Sequence, residues 1–493
     1  MKVGSIFKIL VLVAGTAYSH PDDASGVGAT WRQLAAGDAK AAIALIENNH
    51  PGASVALRDD AFQARLAIAK QHLASRLPQV TSFGGYAATM AGLAADFQDG
   101  HIWSSALVAQ RIVEWPGIVP VRRGDAWYVG GQERLEGEPE LVGARIISCD
   151  GQAFDQFAAN RIELFKGDPR VEANLITGAG FLFIDDGNPF LTLPKTCIFE
   201  RGSDVVSLSF SWRKVLRSHV DDLATTGTHT KPLPRGVQAW DDGYWITLDT
   251  LEDEAQTVVD EVREHQAALE IAPEVVIDLR GNGGGDSTYF DKLAGLLVGT
   301  ERANGARILT GKCGGSYWRA SRVSLEAANE GLVKAQNRKD ADGIHFWNDL
   351  RSGLINAVST HKAFYPDLPP CAAKAQITLL TTPQNKIPPS KMTGLLIVVT
   401  DHKCFSSCLL AVDLLRRLGA LQVGEATNKS TRYMEVKEIA LPSGLRTFST
   451  LLKVAVGVGD FGPYSPDHVF PGDISDTTEL RIWLKDILAS RSQ

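Results

Sequence analysis

From Leu395 to Val399 the chain is an unbroken apolar run, and from Cys408 onward Leu409, Leu410, Val412, Leu414 and Leu415 recur at helical spacing. This asks for a buried strand that stops just before a helix starts. Ser406 and Ser407 stand at the joint. A serine there is a preferred helix N-cap. It can also be a nucleophile on a tight turn, because the first turn of a helix offers unpaired N–H groups that can hold an oxyanion. Taken alone, the stretch favours the cap; the rest of the chain reverses that preference.

A second strand–loop–helix unit precedes it. Glu274–Leu279 reads as a fully buried strand, followed by Asp278-Leu-Arg280-Gly281-Asn282-Gly283-Gly284-Gly285-Asp286-Ser287 and a helix over Thr288–Leu297. A glycine-rich loop entering a helix is an anion cradle. The spacing is neither a P-loop nor a dinucleotide fingerprint. By itself the loop is as consistent with a tight structural turn as with an oxyanion site. From Gly243 onward the chain reads as α/β, with a helix over Glu252–Leu269, a strand at Leu421–Glu425, a hairpin of Met434–Leu441 and Leu445–Val454, and a final helix over Asp476–Ser490. Residues 300–390 read as an insertion or cap within this core.

The earlier chain divides differently. Trp31–Glu47, Asp59–Leu77 and Phe83–Phe97 carry helical periodicity and form a small helical domain spanning 20–105. It ends in Asp99-Gly100-His101, which places an imidazole where an element stops. Such a histidine is most often structural, but catalytic groups are often held at element ends. Residues 106–217 turn to short strands, at Ile118–Val121, Trp127–Val129, Ala144–Ser148, Leu191–Leu193, Thr196–Glu200 and Val205–Trp212, with one helix at Phe154–Phe165. Residues 218–236 read as a linker, and 237–493 as the core.

The length of 493 residues calls for two to four domains. With a formal charge of −7 and no basic block, the chain is a poor partner for nucleic acid or an anionic membrane surface. Residues 1–19 read as a signal peptide: Lys2 and Lys8 precede a short apolar stretch, Ile9–Ala17, with Ala17 and Ser19 as small residues before a cleavage point. The alternative is an N-terminal core helix. No stretch is long enough to make the protein membrane-embedded. The expectation is an exported protein, periplasmic or secreted. Six cysteines suit an oxidising compartment. Cys149 and Cys197 are expected to pair because both fall in one small domain; Cys404 and Cys408 bracket the serines, and free buried cysteines remain an alternative.

Three features in this order, Asp-Gly-His at 99–101, Ile-Asp-Leu-Arg-Gly-Asn-Gly-Gly-Gly at 277–285 and Thr-Asp-His-Lys-Cys-Phe-Ser-Ser at 400–407, resemble the serine peptidases of the C-terminal-processing and tricorn-core family. Gly424-Glu425-Ala-Thr427 and Pro466-Asp467 match as well. The resemblance covers residues 30 to 480. It implies a multidomain α/β fold: an N-terminal helical domain, a PDZ-like β-rich module over 106–217, supported by Val142–Gly151, and a crotonase/ClpP-like peptidase core. It implies Ser406 as nucleophile, His101 as general base and Asp460 as the supporting acid. The oxyanion hole falls to the N–H groups of Ser407 and Gly285, with Gly284 beside them. Peptides or unfolded proteins would be the substrates; no metal, nucleotide or redox cofactor is implied.

The departures define the alternatives. Processing-type members use a lysine base, and Lys429 sits near its position without the usual glycine context. Leu409 stands where a glutamate is common, and Gly100 where tricorn-type members have a serine. Ser407 becomes the nucleophile if the turn shifts by one. A catalytically inactive peptide- or hydrophobic-ligand-binding protein can use the same fold, as can a peptide-tail adaptor resting on the PDZ-like module.

Overall fold

The computed structural model describes residues 26–226, 234–308, 315–368 and 389–491. The expected leader, Cys313 and Cys371 lie outside them. The N-terminal stretch forms α1 (Gly26–Asn49), α2 (Asp60–Arg76) and α3 (Phe83–Ala95). Asp59 caps α2 by accepting the Phe62 N–H, and Ser82 caps α3 by accepting that of Gly85.

The β-rich module contains β1 (Ile112–Trp115), β2 (Ile118–Arg123), β3 (Ala126–Gln132), β4 (Arg145–Cys149), β5 (Gln152–Ala153), α4 (Phe154–Phe165), α5 (Glu172–Gly178), β6 (Thr196–Arg201), β7 (Asp204–Ser209) and β8 (Arg213–Leu216). An antiparallel sheet runs β2-β3-β4-β6-β7, with β5 paired to β4, and β1 pairs with β8 as a separate ribbon. From α4, Phe154, Phe157 and Ile162 fill one core with Trp127, Ile146 and Phe199 of the sheet. Cys149 and Cys197 face each other across β4 and β6 and form the expected disulfide. Leu191–Leu193 is not a strand. The segment read as a linker begins as a helix, α6 (Arg217–Thr226), with Val220 buried against Trp115.

The core follows as β9 (Gly236–Trp240), β10 (Gly243–Thr247), α7 (Ala255–Glu264), α8 (Gln266–Ile271), β11 (Glu274–Asp278), α9 (Ser287–Val298), α10 (Thr300–Ile308), β12 (Gly315–Arg319), α11 (Arg322–Arg338), α12 (Ala341–Ser359), β13 (Phe364–Leu368), β14 (Leu395–Thr400), α13 (Ser407–Arg417), β15 (Leu421–Gly424), β16 (Tyr433–Ala440), β17 (Thr447–Val456), β18 (His468–Val469) and α14 (Thr477–Arg491). The single helix expected over Glu252–Leu269 is two, because His265 leaves helical geometry at φ −94° and ψ 6°.

Six strands form a sheet in the order β18-β15-β14-β11-β10-β9, parallel except for β9. Its strands read as continuous apolar runs because both faces are covered. Leu396 and Val398 face one layer with Val258, Leu293 and Leu414 from α7, α9 and α13. Ile397 and Val399 face the other with Leu480 and Leu484 from α14.

A second, antiparallel sheet runs β13-β12-β17-β16. Phe448 and Val454 of β17 share a core with Ala39, Phe62 and Leu93 of the helical domain. Leu452 packs instead with Trp318, Leu350 and Leu354, under α11 and α12. The region read as an insertion therefore lends two strands, β12 and β13, to a sheet that the C-terminal hairpin completes.

Candidate active site

Adjacent parallel strands end side by side. β11 and β14 pair in register from Glu274–Leu395 to Asp278–Val399. Their following loops consequently emerge at the same sheet edge, where α/β sheets hold ligands. The loops are tied together: Gly281 donates its N–H to Asp401 Oδ2 at 2.9 Å, and Phe405 donates to the Asn282 carbonyl at 3.2 Å.

Ser406 occupies the expected joint, immediately before α13. Its backbone lies at φ 56° and ψ −123°, and its hydroxyl makes no capping bond. A non-glycine residue held there costs on the order of 1–3 kcal/mol, and such strain clusters at functional sites. The N-cap reading is therefore not the one the geometry supports. Ser407 differs: its hydroxyl is engaged, donating to the Gly285 carbonyl at 2.7 Å.

The glycine loop presses directly on this turn. A Cβ on Gly284, whose φ is +101°, would lie 2.8 Å from Ser406 Cβ and 2.9 Å from the Ser407 nitrogen. Only glycine permits that approach. The Gly284 N–H is itself engaged, donating to Asn282 Oδ1 at 2.9 Å, which takes it out of the expected oxyanion set. Neither the Gly285 nor the Ser407 N–H has a hydrogen-bond acceptor among the described residues.

His101 comes from the helical domain to the residue before Ser406, and no hydrogen bond joins its imidazole to the Ser406 hydroxyl among the described residues. The chain after α3 runs beside β17: Ser449 Oγ donates to the His101 carbonyl at 2.8 Å and accepts the Trp103 N–H at 2.7 Å. The buried His101 ring lies against Phe405, the residue before Ser406, with ring centroids 4.3 Å apart. Gly100 makes room for this contact, since a Cβ there would sit 2.8 Å from Phe405 Cζ. The absence of a serine at 100 thus has a steric reason.

Asp99, two residues before His101, turns its buried carboxylate towards the imidazole, whose Nδ1 has no hydrogen-bond partner among the described residues. Its Oδ1 accepts the His101 backbone N–H at 2.9 Å and lies 3.4 Å from His101 Nδ1. Its Oδ2 accepts the Thr431 hydroxyl at 2.5 Å. Burial alone would raise the Asp99 carboxyl, but His101 and the Thr431 hydrogen bond outweigh it and hold it below the ordinary carboxylate range.

Neither Asp460 nor Lys429 is bonded to Ser406 or His101 among the described residues, although Lys429 lines one cavity with Asp99. They pair with each other at 3.1 Å, with both side chains near 40% exposed (39% and 41%). The expected supporting acid is thus engaged by the alternative base. Their loops meet through a two-way backbone bridge between Ser430 and Phe461. On the serine turn's other flank, His402 Nδ1 is 2.7 Å from Glu425 Oε2. Burial pulls His402 down, but Glu425 and Asp401 outweigh it and raise it above its ordinary value. A cavity of about 300 Å³ opens between the helical domain, the β-rich module and the core, lined among others by Asp99, Trp103, Asp168, Lys429 and Arg446. Among the described residues no helix is long and apolar enough to cross a membrane.

No protein-family model matches the sequence, and no curated protein does. The fold does match solved structures. The crystal structure of mature CPAF superposes with a TM-score of 0.59 over 93% of this chain and 98% of that one, at 13% identity. Mature CPAF complexed with lactacystin gives 0.56 over 93% and 99%, at 14% identity. The tricorn protease covers 93% of this chain and 37% of its own at 11% identity, but its TM-score of 0.37 carries no argument. The likeness to CPAF extends along both chains and shows a shared multidomain α/β fold: a helical N-terminus, antiparallel β modules and a mixed sheet.

Proposed function

We propose that this protein is an exported serine peptidase that hydrolyses peptide bonds through an acyl-enzyme on Ser406. The observation that carries this reading is the Ser406 backbone, held in a strained conformation with its hydroxyl unbonded, opposite a glycine loop that leaves two N–H groups without acceptors. His101 takes the Ser406 proton as the hydroxyl attacks the scissile carbonyl. The oxygen of the tetrahedral intermediate accepts hydrogen bonds from Ser407 and Gly285 N–H. Losing one such donor typically costs ~10²–10³ in rate. His101 then gives the proton to the departing amine, and water repeats the cycle to release the acyl group. Asp99 orients the imidazole.

A Ser406/Lys429 dyad is disfavoured because Lys429 faces Asp460. The substrates are peptides or unfolded proteins, and the leader at 1–19 directs export.

The test is hydrolysis of an unfolded protein by the mature chain, together with labelling by a fluorophosphonate and mapping of the labelled residue. Cleavage that disappears in Ser406→Ala and His101→Ala but persists in Lys429→Ala supports the assignment. A folded, oxidised chain that neither cleaves a broad peptide library nor labels at Ser406 transfers the fold to a ligand-binding role.

A further inference from the structure

Cys404 and Cys408 form a disulfide that straddles Ser406 two residues to either side. Both cysteines are completely buried, packed in the core with Leu409, Val412 and Phe290. The three residues between them, Phe405, Ser406 and Ser407, are all only partly buried. One end of the bridge is fixed to the loop: Cys404 donates its N–H to the Asp401 carbonyl at 3.1 Å and accepts the Asn428 N–H at 3.0 Å. The other end is fixed to the first turn of α13, where Cys408 donates to the Phe405 carbonyl at 3.1 Å.

A disulfide stabilises a fold mainly by restricting the unfolded chain, and this effect grows with the length of the loop it closes. The Cys149–Cys197 bridge spans 48 residues of sequence, whereas Cys404–Cys408 spans 4. The shorter bridge is thus the weaker global staple. It nevertheless spans the turn whose backbone holds Ser406 at positive φ. Without a covalent tie, the Ser406 turn is expected to relax from its positive φ towards an ordinary helix N-cap, with its hydroxyl on the first turn of α13.

We infer that the Cys404–Cys408 disulfide is the positioning clamp of the nucleophile, holding the Ser406 turn in its attacking geometry, while Cys149–Cys197 serves the stability of the β-rich module alone. This rests on the serine peptidase reading. Misplacement of a reacting group by about an ångström costs on the order of 10²-fold, and a loss of that size is expected when the clamp is opened.

The experiment compares the mature oxidised protein with Cys404→Ala/Cys408→Ala and Cys149→Ala/Cys197→Ala. It reads fluorophosphonate labelling of Ser406, kcat and KM on one peptide, and thermal unfolding. Opening the clamp is expected to cut labelling and kcat on the order of 10²-fold with KM little changed. The Cys149/Cys197 variant is expected to lose thermal stability and keep its kcat. If the clamp variant does not fold, the native protein is treated with a phosphine. Labelling is then read by mass spectrometry on molecules in which the 404–408 bond alone is open. Labelling at the oxidised rate in either form overturns the clamp and leaves the peptidase reading intact. An oxidised wild-type chain that does not label at all overturns both.

Discussion

His101 Nδ1 lies 3.4 Å from Asp99 Oδ1, and the opposite oxygen of Asp99 is held by Thr431. At that separation Nδ1 makes no hydrogen bond among the described residues; in the proposed mechanism, shortening of this contact favours the tautomer with its proton on Nδ1 and stabilises the imidazolium that results. Asp99→Asn is therefore expected to lower kcat on the order of 10²–10⁴-fold with KM little changed. Steady-state hydrolysis checks this beside Asp460→Asn, which is expected to stay within a few-fold of wild type. The opposite ranking returns the role of supporting acid to Asp460.

The Lys429–Asp460 pair is half exposed on both sides. Exposed pairs contribute about 0–1 kcal/mol. Lys429→Met is expected to shift unfolding free energy by less than about 1 kcal/mol and to leave kcat within a few-fold. Urea unfolding and kinetics on one preparation measure both. A complete loss of activity with stability intact makes Lys429 the base.

Gly284→Ala puts a methyl group against Ser406 and the Ser407 nitrogen, and forces alanine to φ +101°. Because the methyl crowds Ser406 Cβ, the Phe405 carbonyl oxygen and the Ser407 nitrogen, labelling of Ser406 is expected to fall on the order of 10²–10³-fold, the cost of a lost oxyanion donor. Circular dichroism should remain native. Undiminished labelling would place the oxyanion elsewhere.

Two histidines give opposite pH dependences. His50 is fully buried, stacked on Phe62 at 4.0 Å, with Nδ1 accepting the Gly52 N–H. Burial pushes it from 6.5 down to about 3, against the pull of Asp99 and Asp59. The unfolded chain then binds the extra proton, so this contribution is complete above pH 6.5 and is lost as pH falls from there towards 3, at up to about 1.4 kcal/mol per pH unit. His50→Asn retains an acceptor and does not titrate. The fall in urea-unfolding free energy between pH 7 and pH 5 should be smaller in this variant, and an unchanged fall refutes the assignment.

His402 is raised by Glu425 and Asp401. Its contribution is therefore fully present below its unfolded value of 6.5 and declines as pH rises through the higher folded value. His402→Gln should remove that alkaline decline while leaving the acid limb in place. Chemical unfolding between pH 6 and pH 9 measures it, and identical slopes for the two chains exclude the pair as its source.

The two strand–loop–helix units were legible because their signals are local: apolar runs, helical recurrence and glycines between them. The positions of Ser406 and His101 at element ends followed. The contacts of Asp99, Asp460 and Gly284 did not, because each depends on a partner that sequence spacing cannot specify. Asp99 and His101 share one turn, where a carboxylate at i−2 is indistinguishable from an ordinary turn aspartate. Asp460 is taken by Lys429 through a long-range bridge. Which glycine keeps a free N–H is decided by the Asn282 side chain. The strands β12 and β13 were missed for a related reason. They are short, β13 contains Pro366, and their sheet is completed only by β17, far later in the chain.

β17 of the second sheet carries the segment bearing His101 on its flank, so this histidine arrives from the start of the chain and Ser406 from its last fifth. A ribosome-bound or truncated product that stops short of Val456 has neither the strand that docks His101 nor the finished sheet around it. Under the proposed mechanism, hydrolytic competence is thereby tied to completed synthesis.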